Sequence, residues 1–289
     1  MRVDNYLSLS HPIHLHFHNQ SNASYHKLHS HEGIEFLYIH KGTGQVVIEQ
    51  HLYEVSPGNL FVFRPFELHH VAMEGSDTHP YVRSVFNFRP TVIEQYIGTF
   101  PALQSFFLNI WNGKSEDRVL TDLPKCEVNA FFEIHKQRFT ATESKEEIHE
   151  YALFIIAFLH YIRFYWEQQN VTQTKGVRGD YSPVEQIVQW IYDNYKEDFS
   201  LKMLASLVHL SPNHVSSLFH QTTGSTISEY LIARRLQQAC QLLITSTRSI
   251  QQVGEEVGLS NCSYFCKVFR KNIGMSPRQF RKSNGYADD

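Results

Sequence analysis

A repeat in the last hundred residues constrains this chain more than any other feature. Leu201, Leu204, Ala205, Val208 and Leu210 return as Ile250, Val253, Gly254, Val257 and Leu259 at an offset of 49. Val215, Leu218, Phe219, Gly224 and Tyr230 return as Phe265, Val268, Phe269, Gly274 and Phe280 at an offset of 50. One residue has therefore been added in the second turn. Each copy reads as a short helix, a brief turn and a second helix with polar residues on its outer side. A small residue, Ala205 or Gly254, marks where the helices cross closely. This is the organisation of a helix-turn-helix, whose second helix fits the major groove of DNA.

Helix starts in this region are written into the sequence. Ser182-Pro183-Val184-Glu185 combines an N-cap serine, proline at the first helical position and a capping-box glutamate. Val184, Ile187, Val188, Ile191 and Tyr195 form the inner face that follows. Ser200, Ser211-Pro212, Thr226 with Glu229, Ser249 with Gln252, Asn261 and Ser276-Pro277 open further helices, giving about seven in all. The helix between the copies, about Ile227 to Thr245, holds them rigidly, so two readers would enter successive grooves on one DNA face.

Charge supports the same reading. The chain carries a formal −3, but residues 200–285 hold 10 Lys/Arg against 3 Asp/Glu. A basic segment on an acidic chain is suited to a polyanion, although charge alone leaves a solvated basic surface open.

Residues 183–282 resemble the DNA-binding domain of the AraC/XylS family of transcription regulators. The resemblance is carried by Ile250-Gln-Gln-Val-Gly-Glu-Glu-Val-Gly-Leu-Ser-Asn-Cys-Ser-Tyr-Phe-Cys-Lys-Val-Phe-Arg-Lys-Asn-Ile-Gly274, by Ser276-Pro277 with Phe280-Arg281, and by Arg235-Leu-Gln-Gln-Ala-Cys-Gln-Leu-Leu243. Val215, Leu218, Phe219, Phe265, Val268 and Phe269 are expected to face the core. Asn213, His214, Ser216, Ser217 and His220 then point outward in the first unit. Cys262, Ser263, Cys266, Lys267, Arg270 and Lys271 do so in the second. The resemblance implies that Asn213, Ser216, Ser217, Ser263 and Lys267 sit nearest base edges. His220, Arg270 and Lys271 are better placed for phosphates, which position a protein without specifying sequence. The spacing of Cys262 and Cys266 is not that of a zinc finger.

The N-terminal half reads differently. Between Ile34 and Phe88, short aromatic and β-branched runs alternate with Gly42-Thr-Gly44 and Pro57-Gly58, the pattern of a sandwich or barrel. Helical segments follow at Thr91–Gly98, Pro101–Trp111 and Glu127–Phe139. A long helix over Lys145–Gln168 carries Ile148, Tyr151, Ala152, Ile155, Ile156, Leu159, Ile162 and Trp166 on one stripe, to be buried against the barrel or a second subunit. The polar stretch at 170–182 reads as a linker. The fold expected is thus α+β and multidomain. Residues 1–169 form a sensing and dimerisation domain, and residues 183–289 form an all-α domain with two helix-turn-helix units.

Histidine is common here: seven of the 18 lie between His11 and His31. His29-Ser-His31, Glu35 and Gly42 resemble the first motif of a cupin barrel, and Arg64-Pro65-Phe-Glu-Leu-His69-His70 resembles the second. In metal-binding cupins such residues converge inside the barrel, which implies a divalent-metal site of His29, His31, Glu35 and His69, or His70 in place of His69. Period two puts His29 and His31 on one face of a strand, as chelation needs. Two departures weaken the match: Glu67 stands where the pattern has glycine, and Glu74 where it has asparagine. The runs at His11–His18 and His26 are expected to be exposed or loosely packed. Tyr38 is expected to join His29, His31, Glu35, His69 and His70 around a small effector such as a sugar or metabolite. Phe36, Phe61, Phe63 and Phe86 are further candidates for the lining.

Three readings stand at this point. The first is a ligand-responsive regulator, a non-enzymatic cytoplasmic homodimer that binds a double-stranded operator and, if an activator, RNA polymerase. The second is a metal-dependent cupin enzyme or metal sensor with an appended DNA-binding domain. The third is a constitutive activator whose barrel only dimerises. No stretch of 18 apolar residues suggests a membrane span, and four scattered cysteines suit a reducing compartment.

Overall fold

The computed structural model describes residues 6–7, 13–31, 33–49, 51–112, 118–141, 147–172 and 182–283. The N-terminal part runs β1 (Tyr6–Leu7), β2 (Ile13–Ser21), β3 (Tyr25–His31), β4 (Ile34–Lys41), β5 (Gly44–Ile48), β6 (His51–Val55), β7 (Leu60–Phe63), β8 (His69–Met73), β9 (Tyr81–Phe88), α1 (Thr91–Ile97), α2 (Pro101–Asn112), β10 (Val119–Leu120), α3 (Lys125–Ala141) and α4 (Glu147–Thr172). The C-terminal part is helical: α5 (Pro183–Asn194), α6 (Leu201–Leu207), α7 (Pro212–Thr223), α8 (Ile227–Thr245), α9 (Ile250–Glu256), α10 (Cys262–Ile273) and α11 (Pro277–Ser283). Most of the expected linker lies outside the described residues.

Two five-stranded sheets face each other, ordered β1-β3-β8-β5-β6 and β10-β7-β4-β9-β2. They form an open pair rather than the closed barrel expected: β6 and β2 remain as edges, and among the described residues no ladder joins the sheets into a cylinder. Alternation along each strand divides the side chains. On β4, Glu35 and Leu37 face the space between the sheets, whereas Ile34, Phe36 and Tyr38 face outward into the main apolar core.

The helices α1–α4 cover that outward face. The expected stripe on α4 is largely consumed there. Ala152, Ile155, Leu159, Ile162 and Trp166 are buried against the domain's own sheet, with Phe154 and Phe158 beside them, while Ile148 stays exposed. The stripe is therefore not the face left for a partner. A different line on α4, Leu153 and Phe164, is more than half exposed.

The C-terminal helices begin where the sequence places them. Ser182, Thr226 and Ser249 each complete a capping box, with Glu185, Glu229 and Gln252 respectively. Ser200, Ser211 and Asn261 accept a backbone N–H three residues on. Each such cap contributes about 1 kcal/mol. The two parts pack together. Leu28 and Leu68, from the outer side of the first sheet, enter the core of α5–α8. Tyr230 also donates a 2.9 Å hydrogen bond to the Glu49 carbonyl.

Candidate functional site

Each helix-turn-helix is built around a buried pair of side chains on its second helix. Val215 and Phe219 anchor α7, and Phe265 and Phe269 anchor α10; Leu218 and Val268 are half-buried. Gly254 permits the close crossing of α9 and α10, because a Cβ there would lie 2.9 Å from the Leu259 carbonyl and 3.1 Å from the Phe265 ring. With the cores fixed, the helical period turns the other positions outward. Asn213, His214, Ser216, Ser217 and His220 on α7 are all exposed, as are Ser263, Lys267, Arg270 and Lys271 on α10. Tyr264, not anticipated from the sequence, is 50% exposed beside Ser263 and adds an aromatic ring to the second face. Cys262 and Cys266 are half-buried, and burial, then its neighbour Cys262, raises the Cys266 thiol above its ordinary pKa.

Part of the basic excess is structural. Arg234 lies 3.8 Å over the Tyr192 ring. Arg235 donates to the Tyr195 and Glu197 carbonyls after α5, and Arg281 donates to the Leu243 carbonyl in α8. All three are buried. Guanidinium groups that satisfy helix-end carbonyls brace the domain and are not available to phosphates.

The second constellation lies between the sheets. His29 and His31 on β3, Glu35 on β4 and His69 on β8 each offer one ligand atom, all within 4.8 Å of one another, and all four residues are buried. The Nδ1–H of His31 donates to the Gly33 carbonyl at 2.8 Å, and that of His69 to the Glu67 carbonyl at 2.9 Å. A carbonyl can only accept, so each Nδ1 carries a proton and each ring turns its Nε2 toward the cluster. Those Nε2 atoms make no well-formed hydrogen bond, although they lie 3.3 and 3.8 Å from the Glu35 carboxylate. Burial, then the neighbouring imidazoles, holds His29 well below its ordinary pKa and pushes His69 down to about 3. Burial alone would raise the Glu35 carboxyl, but the adjacent His31 and His69 imidazoles outweigh it and keep it low. Three imidazoles around an ionised carboxylate form the donor set of a divalent transition metal, so the residues present fit one.

Glu67, which departs from the cupin pattern, is explained by its contacts. It is buried, accepts 3.0 Å from Arg118 and 2.9 Å from the Arg64 backbone, and so closes the turn before β8. Two expected ligand-binding residues are misplaced. Tyr38 is three positions from Glu35 and therefore on the opposite face, packed against His40 and Phe132. His70 follows His69 and likewise points away, out of the cluster and onto the end of α7. There a Cβ on Gly224 would lie 2.7 Å from its Nε2. Burial, then His26, pushes the His70 imidazole down to about 3.

A cavity of about 400 Å³ opens beside the cluster, with His29 and Glu35 in its wall. His14 and His16, expected to be exposed or loosely packed, line it from half-buried and exposed positions respectively, together with Lys27, Tyr25, Tyr81, Arg83 and Asn87. Phe86 borders it while its ring packs on Phe36 and Phe158. Phe36 lies in the outer core, and Phe61 and Phe63 pack between the sheets away from the cavity.

A family of AraC-like ligand binding domains matches residues 11–154, and a helix-turn-helix domain family matches residues 204–283. The chain belongs to the AraC family of transcription regulators. Within that family it is 32% identical over 103 residues to the uncharacterized HTH-type transcriptional regulator YpdC of Escherichia coli, covering 36% of each chain. It thus spans only about a third of that relative's length. Its likeness to the arabinose operon regulatory protein of Escherichia coli is lower but longer, 26% over 247 residues, or 83% of this chain and 77% of that protein. Among solved structures, the DNA-binding domain of AdpA in complex with a target DNA is 29% identical, covering 36% of this chain and 93% of that one, with a TM-score of 0.34.

Proposed function

We propose that this AraC-family chain is a transcription regulator that binds a specific DNA duplex through α7 and α10 and a small effector between its sheets. The observation that carries the reading is the pair of exposed polar helix faces, each set on its own buried aromatic anchor. Exposed Lys267, Arg270 and Lys271 supply positive charge, and Asn213, Ser216, Ser217 and Ser263 supply neutral hydrogen-bonding groups for base edges. Binding of the intact protein to a selected duplex and to its scrambled counterpart, at one stated salt concentration, tests this. A preference of about a thousandfold or more is expected; equal binding would sink the reading.

The same strands support a route for the effector. Strands β3 and β8 present His29, His31 and His69 to the cluster between the sheets on one face, and Leu28 and His70 to the DNA-binding helices on the other. An effector that binds one spacing of these strands better than another would shift how the helices dock. The exposed Leu153 and Phe164, beside a groove lined by Phe100 and Ile156, form the face for a second copy. Leu153→Glu should yield a monomer by light scattering; an unchanged mass would move the dimer face elsewhere.

A metal in the cluster is favoured by the convergence of four buried ligand atoms, two of them on imidazoles anchored through Nδ1. His29, His31, Glu35 and His69 would hold it, and it would supply a Lewis acid facing the cavity. Zinc titration followed by calorimetry should show one site that His69→Ala abolishes and His70→Ala retains. Equal loss in both variants would remove the metal reading.

A further inference from the structure

Strand β9 places three buried, unpartnered polar groups along one wall of the cavity. Tyr81, Arg83 and Asn87 alternate onto the same face. The Tyr81 hydroxyl, Nη1 of Arg83 and Oδ1 of Asn87 are each buried without a hydrogen-bond partner. Orphaned buried polar atoms are costly, and three facing one cavity point to a ligand that satisfies them.

The Arg83 group sets the charge of that ligand. Its guanidinium is held over the rings of Tyr25, at 4.5 Å, and Tyr81, at 4.7 Å, and has no carboxylate partner among the described residues. A stacked guanidinium offers its edge, and that edge matches the two oxygens of a carboxylate. The phenol of Tyr81 is kept protonated by burial and so remains a donor. Lys27 adds a second positive charge to the wall, against one carboxylate, Glu35.

Register sets the length. Asn87 pairs directly with Glu35 of the histidine cluster. At about 3.3 Å per residue, Arg83 and Asn87 are roughly 13 Å apart along the backbone. Their side chains shorten the gap, but a lone acetate cannot reach both. Asn87 Oδ1 asks for a donor, which a hydroxyl supplies. Resting on the effector reading above, we infer that the cavity binds a five- or six-carbon hydroxycarboxylate. Its carboxylate sits on Arg83, and its far hydroxyls lie at Asn87 and the histidine cluster.

Matched pairs test this on the intact protein, with and without one equivalent of zinc. Gluconate and ribonate are compared with glucitol and ribitol, and acetate serves as the short anion. The acids should raise the melting temperature in a concentration-dependent way, while the polyols and acetate should not. Arg83→Gln should weaken acid binding at least about tenfold, and Arg83→Lys should recover part of it. Unchanged far-ultraviolet dichroism and basal melting in both variants separates lost binding from lost fold. Equal shifts from acids and polyols, or acid binding within twofold in Arg83→Gln, would overturn the inference. Binding of polyols alone would also overturn it while leaving an effector site in place. No response to any acid or polyol would remove both.

Discussion

The two helix-turn-helix units share a fold and differ in what surrounds them. The first shares its core with the sensor sheets through Leu28 and Leu68. The second closes its own core around Phe265, Phe269 and Phe280, and meets the sensor through Phe66 at its rim and β1 beside α10. Their turns differ too. Gly258 takes φ +78° in the second; the equivalent residue in the first is His209, held at φ 55°. Both second helices end on a left-handed glycine, but Gly224 is closed off by His70 while Gly274 meets nothing within 4 Å. Both units have side-chain caps on their helices and a buried phenylalanine, Phe219 or Phe269, on the second helix. Turns and surfaces differ, so that the first unit shares its core with the sensor and the second carries the charge on its outer helix.

The largest expected effect lies in the second turn. A Cβ at Gly258 would sit 2.4 Å from the Lys196 carbonyl, at a backbone angle that side chains rarely adopt. Gly258→Val should cost about 2–4 kcal/mol in urea unfolding. A loss under about 1 kcal/mol would mean that this turn does not press on the end of α5.

Next come the charged contacts. Lys267→Ala should weaken binding to a selected duplex by about 1–3 kcal/mol and relax its specificity. Arg270→Ala should weaken binding to all duplexes alike and lower the salt slope by about one. Ser216→Ala, on α7, which has no Lys, Arg, Asp or Glu, should leave the salt slope unchanged. A drop in slope there would erase the division between the readers.

The helix ends offer a smaller contrast. Gly274→Ala pays only for its backbone angle, about 1 kcal/mol. Gly224→Ala pays the same and also pushes against His70, so hydrogen exchange should quicken in β8 as well as in α7. Identical exchange in both variants would mean that the first unit is not braced by the sensor. Smallest of all, His209→Gly relieves a left-handed residue and should stabilise by about 0.5–1 kcal/mol; a loss would show that the histidine side chain compensates.

The helical part was largely legible because its signals are local. Caps, anchors and the small residue at each crossing are set by residues within four positions. The cluster was legible for a similar reason: His29 and His31 share a strand face, and Glu35 follows a fixed spacing. Tyr38 and His70 were misassigned although strand alternation itself places them opposite Glu35 and His69. Arg83, His14 and His16 were missed because their role depends on which strands pair across the cavity, which no local pattern encodes. The sensor contact at Gly224 was hidden likewise, since a glycine that ends a helix looks the same whether or not something lies against it.

The central claim is that one chain carries two unequal readers, and selection from a random duplex pool by the intact protein tests it most directly. The account predicts enrichment of two sequence elements about one helical turn, roughly 10 base pairs, apart. Lys267→Ala should blur one element and spare the other. Enrichment of a single element that Lys267→Ala leaves intact, or no enrichment at all, would contradict it.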